Sequence, residues 1–324
     1  MTHPAALPCA ILAVVLLAAL SLFVGVTDIA PMDVLRGQAD ARQMQVLLAS
    51  RVPRTLALVL AGAATAVAGL VMQMIVRNRF VEPSTTGTVE SAGLGLLVVT
   101  VLAPGMPVMG KMLIASLFAL AGTALFMRIL RMVPLRDVLL VPLVGIMLGG
   151  VIGAVTTFFA YRFDLLASVG AWSMGDFSGV LRGRYELLWL AGALAVAAYA
   201  AADRLTLAAM GRDFTTNLGL NYRSTMVLGL IIVSLVSATV LVTVGVIPFL
   251  GLIVPNVVSL MIGDNMRRTV PWVAVMGTGF VLICDILGRT IRAPYEIPIA
   301  TMLGVIGSAA FLFLLLRRRH HAAP

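Results

Sequence analysis

The sequence predicts an all-α membrane protein with ten transmembrane helices, some of them short or broken, and a cytoplasmic pair of short helices. Hydrophobic residues make up 60% of its 324 residues and charged residues only 11%, whereas a soluble domain carries about 25% charged residues. The mean hydropathy is +1.06. Most of the apolar segments approach the roughly 20 residues that a helix needs to cross a bilayer.

The ten apolar segments span residues 8–27, 55–76, 91–103, 112–130, 138–160, 187–202, 226–247, 249–262, 270–288 and 297–316. An even number of crossings puts both termini on the same side of the membrane. The run 317–319, three arginines, follows the last segment directly. The positive-inside rule makes that side cytoplasmic. We therefore expect one transmembrane domain over residues 1–324.

Two of these segments, 91–103 and 249–262, are too short for simple spans, and the second contains Pro255. Broken helices are tolerated at membrane depth only where they are buried in protein or line a cavity. This pattern favours a transporter or a channel over a simple anchor. The small residues of segment 60–69 are suited to close helix packing.

A polar island, Asp203–Arg223, separates two strongly apolar segments. Its pattern predicts two short helices that meet at Met210-Gly211 and end at Gly219. Phe214 and Leu218, at i and i+4, give the second helix an apolar face. Such a pair suits docking into a groove on a soluble partner. The alternative is an interfacial helix that rests on lipid.

Four arginines are expected on the outer face, where positive charge opposes the insertion bias: Arg51, Arg54, Arg289 and Arg292. They could act as sockets for carboxylates on an incoming protein, because arginine forms charge-assisted pairs with carboxylates. They could equally contact lipid headgroups or a local partner such as Asp285 or Glu296. Asp285 precedes Arg289 by four residues, which favours a local ion pair.

Segment 164–179, between the fifth and sixth apolar segments, is apolar but interrupted. We expect a short helix near the outer surface there. Trp172 and Phe177 are expected to act as interfacial anchors, because aromatic side chains concentrate at membrane boundaries.

Several classes of function lack their motifs in this sequence. There is no GxxxxGK[ST] phosphate loop, so the chain is not expected to hydrolyse ATP, and no HExxH or GxSxG motif indicates an enzyme. Both cysteines lie in apolar segments, so neither a metal site nor a disulfide framework is predicted. The scattered basic residues do not indicate a nucleic-acid partner. Glu90, Asp285 and Glu296 are the candidates for a proton-coupled carrier.

Four stretches of the sequence resemble the FecCD-type permeases of iron-siderophore and cobalamin ABC importers. The stretches are Arg51–Pro83, Leu218–Leu220, Thr243–Pro271, and Asp285–Arg289 with the following Glu296–Ile299. They lie in the family's order along nearly the whole chain. The resemblance implies a ten-helix permease subunit, two of which enclose one translocation path.

The resemblance also implies partners. A separate ATPase subunit would dock on the loop 203–223, and no cofactor is expected. The implied ATPase contacts are Met210, Gly211, Arg212, Asp213, Leu218, Gly219 and Leu220. A periplasmic or lipid-anchored siderophore-binding protein would dock on Arg51, Arg54 and Arg289, to which proximity adds Arg292. The implied location is the bacterial cytoplasmic membrane.

One motif departs from the family pattern. The family's N-P-L-A-x-P is Asn78-Arg79-Phe80-Val81-Glu82-Pro83 in this chain. Asn78 and Phe80 are expected to constrict the inner end of the path. The following segment 84–90 resembles the branch that handles catecholate-type ferric siderophores. Because that branch often pairs two different permease subunits, the resemblance implies a heterodimer at least as much as a homodimer. The alternatives are import of cobalamin or haem, and a proton- or sodium-coupled secondary carrier.

Overall fold

The computed structural model describes residues 6–25, 29–38, 40–132 and 140–319, and there is no strand in these ranges. The helices are α1 (Ala6–Phe23), α2 (Pro31–Leu35), α3 (Ala41–Val46), α4 (Val52–Val76), α5 (Thr88–Leu102), α6 (Val108–Met132), α7 (Leu140–Arg162), α8 (Leu166–Ser173), α9 (Leu188–Ala200), α10 (Ala202–Met210), α11 (Arg212–Asn217), α12 (Tyr222–Val244), α13 (Leu250–Ile262), α14 (Met266–Thr290) and α15 (Ile299–Arg319). A π-helical turn, Leu47–Arg51, joins α3 to α4. The predicted all-α class is confirmed.

Six helices are long and apolar enough to cross a membrane: α1, α3 continued through α4, α6, α7, α12 and α14. A seventh span results if α9 and α10, which bend by 62° at their junction, are counted together. Shorter apolar helices are α5, α13 and the stretch Ile299–Leu312 of α15. The chain is therefore a multi-pass membrane protein. Each apolar segment of the sequence overlaps one of these helices, and residues 26–27 and 138–139 of two segments lie outside the described residues.

Helix α4 forms the centre of the protein. The most apolar window of the continuous helix Ala41–Val76 is 72% buried, whereas that of α1 is 6% buried. Helices α14, α12, α13 and α9 pack around α4. The contacts with α13 and α14 are close because glycines face each other. A Cβ atom on Gly69 would lie 2.2 Å from the carbonyl oxygen of Gly251, and one on Gly277 would lie 2.8 Å from that of Gly62. The predicted close packing of segment 60–69 is confirmed.

The segment after α7 differs in part from its prediction. A short helix, α8, is present, and Trp172 is half-buried. Phe177, however, is fully buried in the main apolar cluster, so its assignment as an interfacial anchor was wrong. The chain before Phe177 packs against the end of α12 and the residues that follow it. The N–H of Asp176 donates to the carbonyl of Val244 at 3.0 Å, and Gly175 lies so close to Val246 that a Cβ atom there would clash with its carbonyl oxygen.

Candidate functional site

A buried ion cluster joins α4, α14 and the end of α1 on the predicted outer side. Nε and Nη2 of Arg54 both donate to Oδ1 of Asp285, at 3.1 and 2.7 Å. The Nη1 atom of Arg54 donates to Glu296 at 2.8 Å. Arg289, one turn after Asp285, pairs with the other oxygen of this carboxylate. Arg289 also donates to the carbonyl oxygen of Val24 at 2.7 Å. The local Asp285–Arg289 pair predicted from the i, i+4 spacing is confirmed.

The cluster determines how the four outer arginines are placed. Arg51 is 6% exposed and donates to the carbonyl of Leu22 at 3.0 Å. The side chains of Arg54 and Arg289 are 12% and 4% exposed. Arg292 is exposed, and its guanidinium lies 5.8 Å from the ring centre of Tyr295. Arg51 and Arg289 are therefore buried and Arg54 is half-buried, because these three arginines neutralise carboxylates or bind backbone carbonyls of the same chain.

At the opposite end of α4, residues 77–87 form a turn that contains a short 3-10 helix, Pro83–Thr85, and that we call the inner hairpin. Glu82 of this hairpin is 2% exposed and lies at the N-terminus of α13. Its carboxylate accepts hydrogen bonds from the N–H of Phe249 at 3.0 Å and from the hydroxyl of Ser84 at 2.6 Å. Burial raises the pKa of this carboxyl group, and its hydrogen bonds to Ser84 and to the backbone at the start of α13 offset only part of that shift. A carboxylate at this position complements the positive end of the helix dipole.

Helix α13 is fastened to its surroundings by two amide side chains. Pro255 lies within α13 and has no N–H, so the carbonyl of Gly251, four residues earlier, loses its helical donor. Nε2 of Gln73 on α4 supplies a donor to this carbonyl at 3.2 Å. Nδ2 of Asn256 donates to the carbonyl of Arg79 in the inner hairpin at 2.7 Å. The N-terminal half of this proline-containing helix is therefore buried, and its freed carbonyl is satisfied by protein groups, as membrane depth requires.

The two predicted constriction residues lie in the inner hairpin. Asn78 is 5% exposed, and its side-chain oxygen accepts from the N–H of Phe80 at 2.8 Å. The ring of Phe80 meets that of Phe311 on α15 edge to face, with 6.0 Å between the ring centres. Asn78 thus shapes the turn, while Phe80 contacts another helix.

The polar island forms the two short helices α10 and α11, which meet at Gly211. This glycine has φ 129° and ψ 160°, a combination that is essentially restricted to glycine. The hydroxyl of Thr215 donates to the carbonyl of Leu207 at 2.9 Å and to that of Gly211 at 2.5 Å. These bonds stabilise the corner between α10 and α11. We call these two helices together the helix pair. Gly219, with φ 77°, follows the end of α11.

Arg77 joins the helix pair to the inner hairpin. It ends α4 in a left-handed conformation, φ 54°. Its Nη2 atom donates to the carbonyl of Ala208 on α10 at 3.4 Å and lies 3.3 Å from the position that a Cβ atom on Gly211 would take. The helix pair, α4 and the hairpin thus form one continuous set of contacts.

Six of the seven predicted ATPase contacts line an open groove of about 1710 Å³, which we call the basic groove. They are Met210, Gly211, Arg212, Asp213, Gly219 and Leu220. Leu218 lies outside this lining. Three apolar side chains of the pair are open to solvent: Met210 is 62% exposed, Phe214 46% and Leu218 54%.

The sequence did not reveal several residues that hold this site together. Glu82, Gln73 and Arg77 act on backbone groups far along the chain, so their roles depend on tertiary contacts. A usable signal existed for Glu82, because a carboxylate in an apolar turn needs buried donors. For Gln73 the signal was Pro255, which always leaves a carbonyl without its helical donor.

The fold and the site define a polytopic helical membrane protein whose short helix pair is linked to α13, a short helix that contains a proline. The FecCD transport family matches residues 12–317. The petrobactin import system permease protein YclN of Bacillus subtilis (strain 168) is 48% identical over 308 residues, which are 95% of this chain and 97% of that protein. The ferric-anguibactin transport system permease protein FatD of Vibrio anguillarum is 41% identical over 268 residues, 83% of this chain and 85% of that protein.

A solved structure, described as an inward-facing conformation of a metal-chelate type ABC transporter, shows a similar fold. Its TM-score is 0.82 at 24% identity, over 97% of this chain and 100% of that one. The chain belongs to the FecCD transport family.

Proposed function

We propose that the chain is the permease subunit of an ATP-binding-cassette importer for ferric siderophores. The observation that carries this proposal is the similarity over 95% of the chain to a petrobactin import permease. A second similar protein is named for anguibactin transport. Both names are those of siderophore systems, so we place siderophore import ahead of cobalamin or haem import.

We propose ten membrane crossings for this domain, residues 1–324. The six long spans, the bent pair of α9 and α10, and the three shorter apolar helices supply them. Helices α5 and α13 are short because part of each crossing is formed by the non-regular segment before the helix. For α5 this segment is the inner hairpin, and for α13 it is a glycine-containing turn. The arginine run 317–319 supports cytoplasmic termini. The membrane is the bacterial cytoplasmic membrane.

A separate ATPase partner is proposed because the chain has no phosphate-binding loop of its own. This partner docks on the helix pair. The exposed Met210, Phe214 and Leu218 support this proposal, since apolar side chains on a short helix are the usual anchors in a partner's groove. A second permease subunit, identical or different, completes the path. Apart from these proteins and membrane lipid, no nucleic acid or other partner is proposed.

The contacts around Arg77 support a route from the ATPase to the inner constriction. The braced corner of the helix pair moves as a unit, and Arg77 passes this movement to the end of α4. The inner hairpin follows, because it continues directly from Arg77. Glu82 and the carbonyl of Arg79 bind the hairpin to α13. Phe80 therefore changes its position relative to Phe311 of α15, which opens or narrows the inner end of the path.

We propose that Arg51, Arg54, Arg289 and Arg292 together form the docking area for the siderophore-binding protein. Arg292 is the exposed member and makes the direct contact. The other three shape the surface beneath it and leave it positive, because three arginines and Arg292 outnumber Asp285 and Glu296. A carboxylate of the binding protein would meet Arg292 at the rim of this area.

The proton- or sodium-coupled alternative receives less support. Asp285 and Glu296 both bind Arg54, so neither is available for a proton cycle without breaking an ion pair. Glu90 is left as its candidate. One of its carboxylate oxygens is buried and makes no hydrogen bond with a described residue, and it faces Gly149 on α7.

Uptake by reconstituted vesicles tests the proposal. Vesicles that contain the permease, an ATPase subunit and the binding protein should accumulate ferric siderophore only when ATP is present. Accumulation without the ATPase subunit would contradict the proposal, and loss of that uptake on Glu90→Gln would establish the secondary carrier.

A change at the corner of the helix pair tests the docking site. Gly211→Val forces a side chain into a conformation restricted to glycine and towards Arg77. ATPase association and uptake should both fall by at least about tenfold, the equivalent of roughly 1.4 kcal/mol. Gly263→Val is the control, because Gly263 has φ 84° but open space around it. Equal losses for the two variants would remove the helix pair from the ATPase interface.

A further inference from the structure

The basic groove has a composition that ATPase docking does not explain. Its described lining contains five arginines: Arg77, Arg128, Arg131, Arg212 and Arg223. Asp213 is the single carboxylate in this lining. Arg128, Arg131 and Arg223 make no ion pair with any residue that the structure describes. A groove with this charge attracts an anion.

The groove also has an apolar wall. It is formed by side chains of α6 and α12: Ala124, Met127, Met226, Val227 and Leu230. Val227 is 46% exposed. The groove therefore joins a cluster of guanidinium groups to a surface that suits hydrocarbon. A free phosphate or a nucleotide would leave this apolar wall without a partner.

The groove lies where two membrane spans end. Arg128 and Arg131 lie in the last turns of α6, and Arg223 lies in the first turn of α12. Both helices are among the long apolar spans. Met127 and Val227 come within about one helical turn of these arginines, so the apolar wall extends from the arginines into the span. A phospholipid has the same arrangement, because its phosphate lies at the membrane surface and its acyl chains extend into the hydrocarbon core.

We propose that the basic groove binds the headgroup of one anionic phospholipid. Arg128, Arg131 and Arg223 bind its phosphate group, since arginine makes paired, charge-assisted hydrogen bonds with phosphate oxygens. The acyl chains lie along Met127 and Val227. Basic pockets between spans on the cytoplasmic side are known to suit such headgroups. Because Met210 and Gly211 also line the groove, the lipid touches the helix pair and steadies it.

The test uses the full-length permease purified with its ATPase partner. The complex is equilibrated with vesicles that contain equal amounts of phosphatidylglycerol and phosphatidylcholine, and is then extracted. Native mass spectrometry identifies the lipids that remain bound. Phosphatidylglycerol should be retained over phosphatidylcholine, and Arg128→Gln with Arg131→Gln should lower its retention by about tenfold. Arg128→Lys with Arg131→Lys should restore part of it. Arg182→Gln with Arg184→Gln, two exposed arginines outside the groove, removes the same charge and should change nothing.

Three outcomes would overturn the proposal. Equal retention of the two lipids would show that the groove does not select an anionic headgroup. Displacement of the lipid by glycerophosphoglycerol at the lipid's own concentration would show a phosphate site without a role for the acyl chains. Loss of the ATPase subunit from the glutamine variant, with lipid retention unchanged, would assign the groove to the ATPase interface. A melting temperature equal to that of the wild type shows that the variants are folded.

Discussion

The two ends of α4 use arginine in opposite ways. At the proposed outer end, the side chains of Arg54 and Arg289 are 12% and 4% exposed and share the carboxylate of Asp285. At the inner end, Arg128 and Arg212 are exposed and line an open groove with a single carboxylate. A guanidinium that is paired inside the protein fixes helices to one another, whereas one that faces solvent remains able to bind a partner. Charge alone therefore does not identify a docking surface, because the neighbouring carboxylates decide which role an arginine has.

Asp285→Ala breaks the outer end and should have the largest effect. It leaves Arg54 and Arg289 buried without their shared carboxylate, which costs about 3–5 kcal/mol of stability. Thermal unfolding of the purified protein in detergent measures the loss. Asp203→Ala removes the exposed partner of Arg267, 2.6 Å away, and should change stability by at most about 1 kcal/mol. Equal effects of the two changes would show that the outer cluster does not stabilise the fold.

Glu82→Ala examines the attachment of the inner hairpin to α13. The variant leaves the N–H of Phe249 buried without an acceptor, which costs about 1–3 kcal/mol. Glu186→Ala is the matched control, because Glu186 also accepts from a backbone N–H, that of Gly183 at 2.7 Å, but in an exposed loop. Thermal unfolding should separate the two variants. If Glu186→Ala were the more harmful change, the carboxylate at α13 would have no structural role.

Arg77→Ala tests whether the inner end transmits movement. Uptake should fall several-fold while ATP hydrolysis by the assembled complex continues, because the hydrogen bond from Arg77 to Ala208 on α10 is lost but the helix pair is intact. Parallel measurements of both rates in vesicles give the ratio of transport to hydrolysis. Arg79→Ala removes a nearby exposed arginine that pairs with Asp264, and should leave this ratio unchanged. A normal ratio for Arg77→Ala would refute the proposed route.

Arg292→Glu should have the smallest effect, because Arg292 is an exposed charge at the rim of the outer cluster. We expect weaker association with the siderophore-binding protein, mainly through a slower on-rate, and a larger difference at low salt. Surface plasmon resonance at two salt concentrations measures it. Arg182→Glu, at another exposed position, is the control for net charge. Unchanged association at low salt would move the docking area away from Arg292.

The sequence alone determined the membrane class, the position of the helices and the family resemblance. Its apolar segments each overlap a helix, because a span of apolar residues in lipid must satisfy its backbone internally. The polar island between them was recognisable as two short helices from Gly211 and Gly219. The i, i+4 spacing also gave the Asp285–Arg289 pair, since such neighbours on one helix face meet without help from the rest of the fold.

Only the tertiary structure decided which polar side chains are buried and what they bind. Arg54 reaches Asp285 across 231 positions of the chain, and Glu82 reaches Phe249 across 167. Phe177 was assigned to the surface because its local sequence is mixed, yet packing against distant helices buries it. Local patterns act within a few turns of a helix, whereas the burial of a charge depends on every segment that surrounds it. That is why the helices and the local Asp285–Arg289 pair could be predicted, whereas the choice among the possible roles of the outer arginines could not.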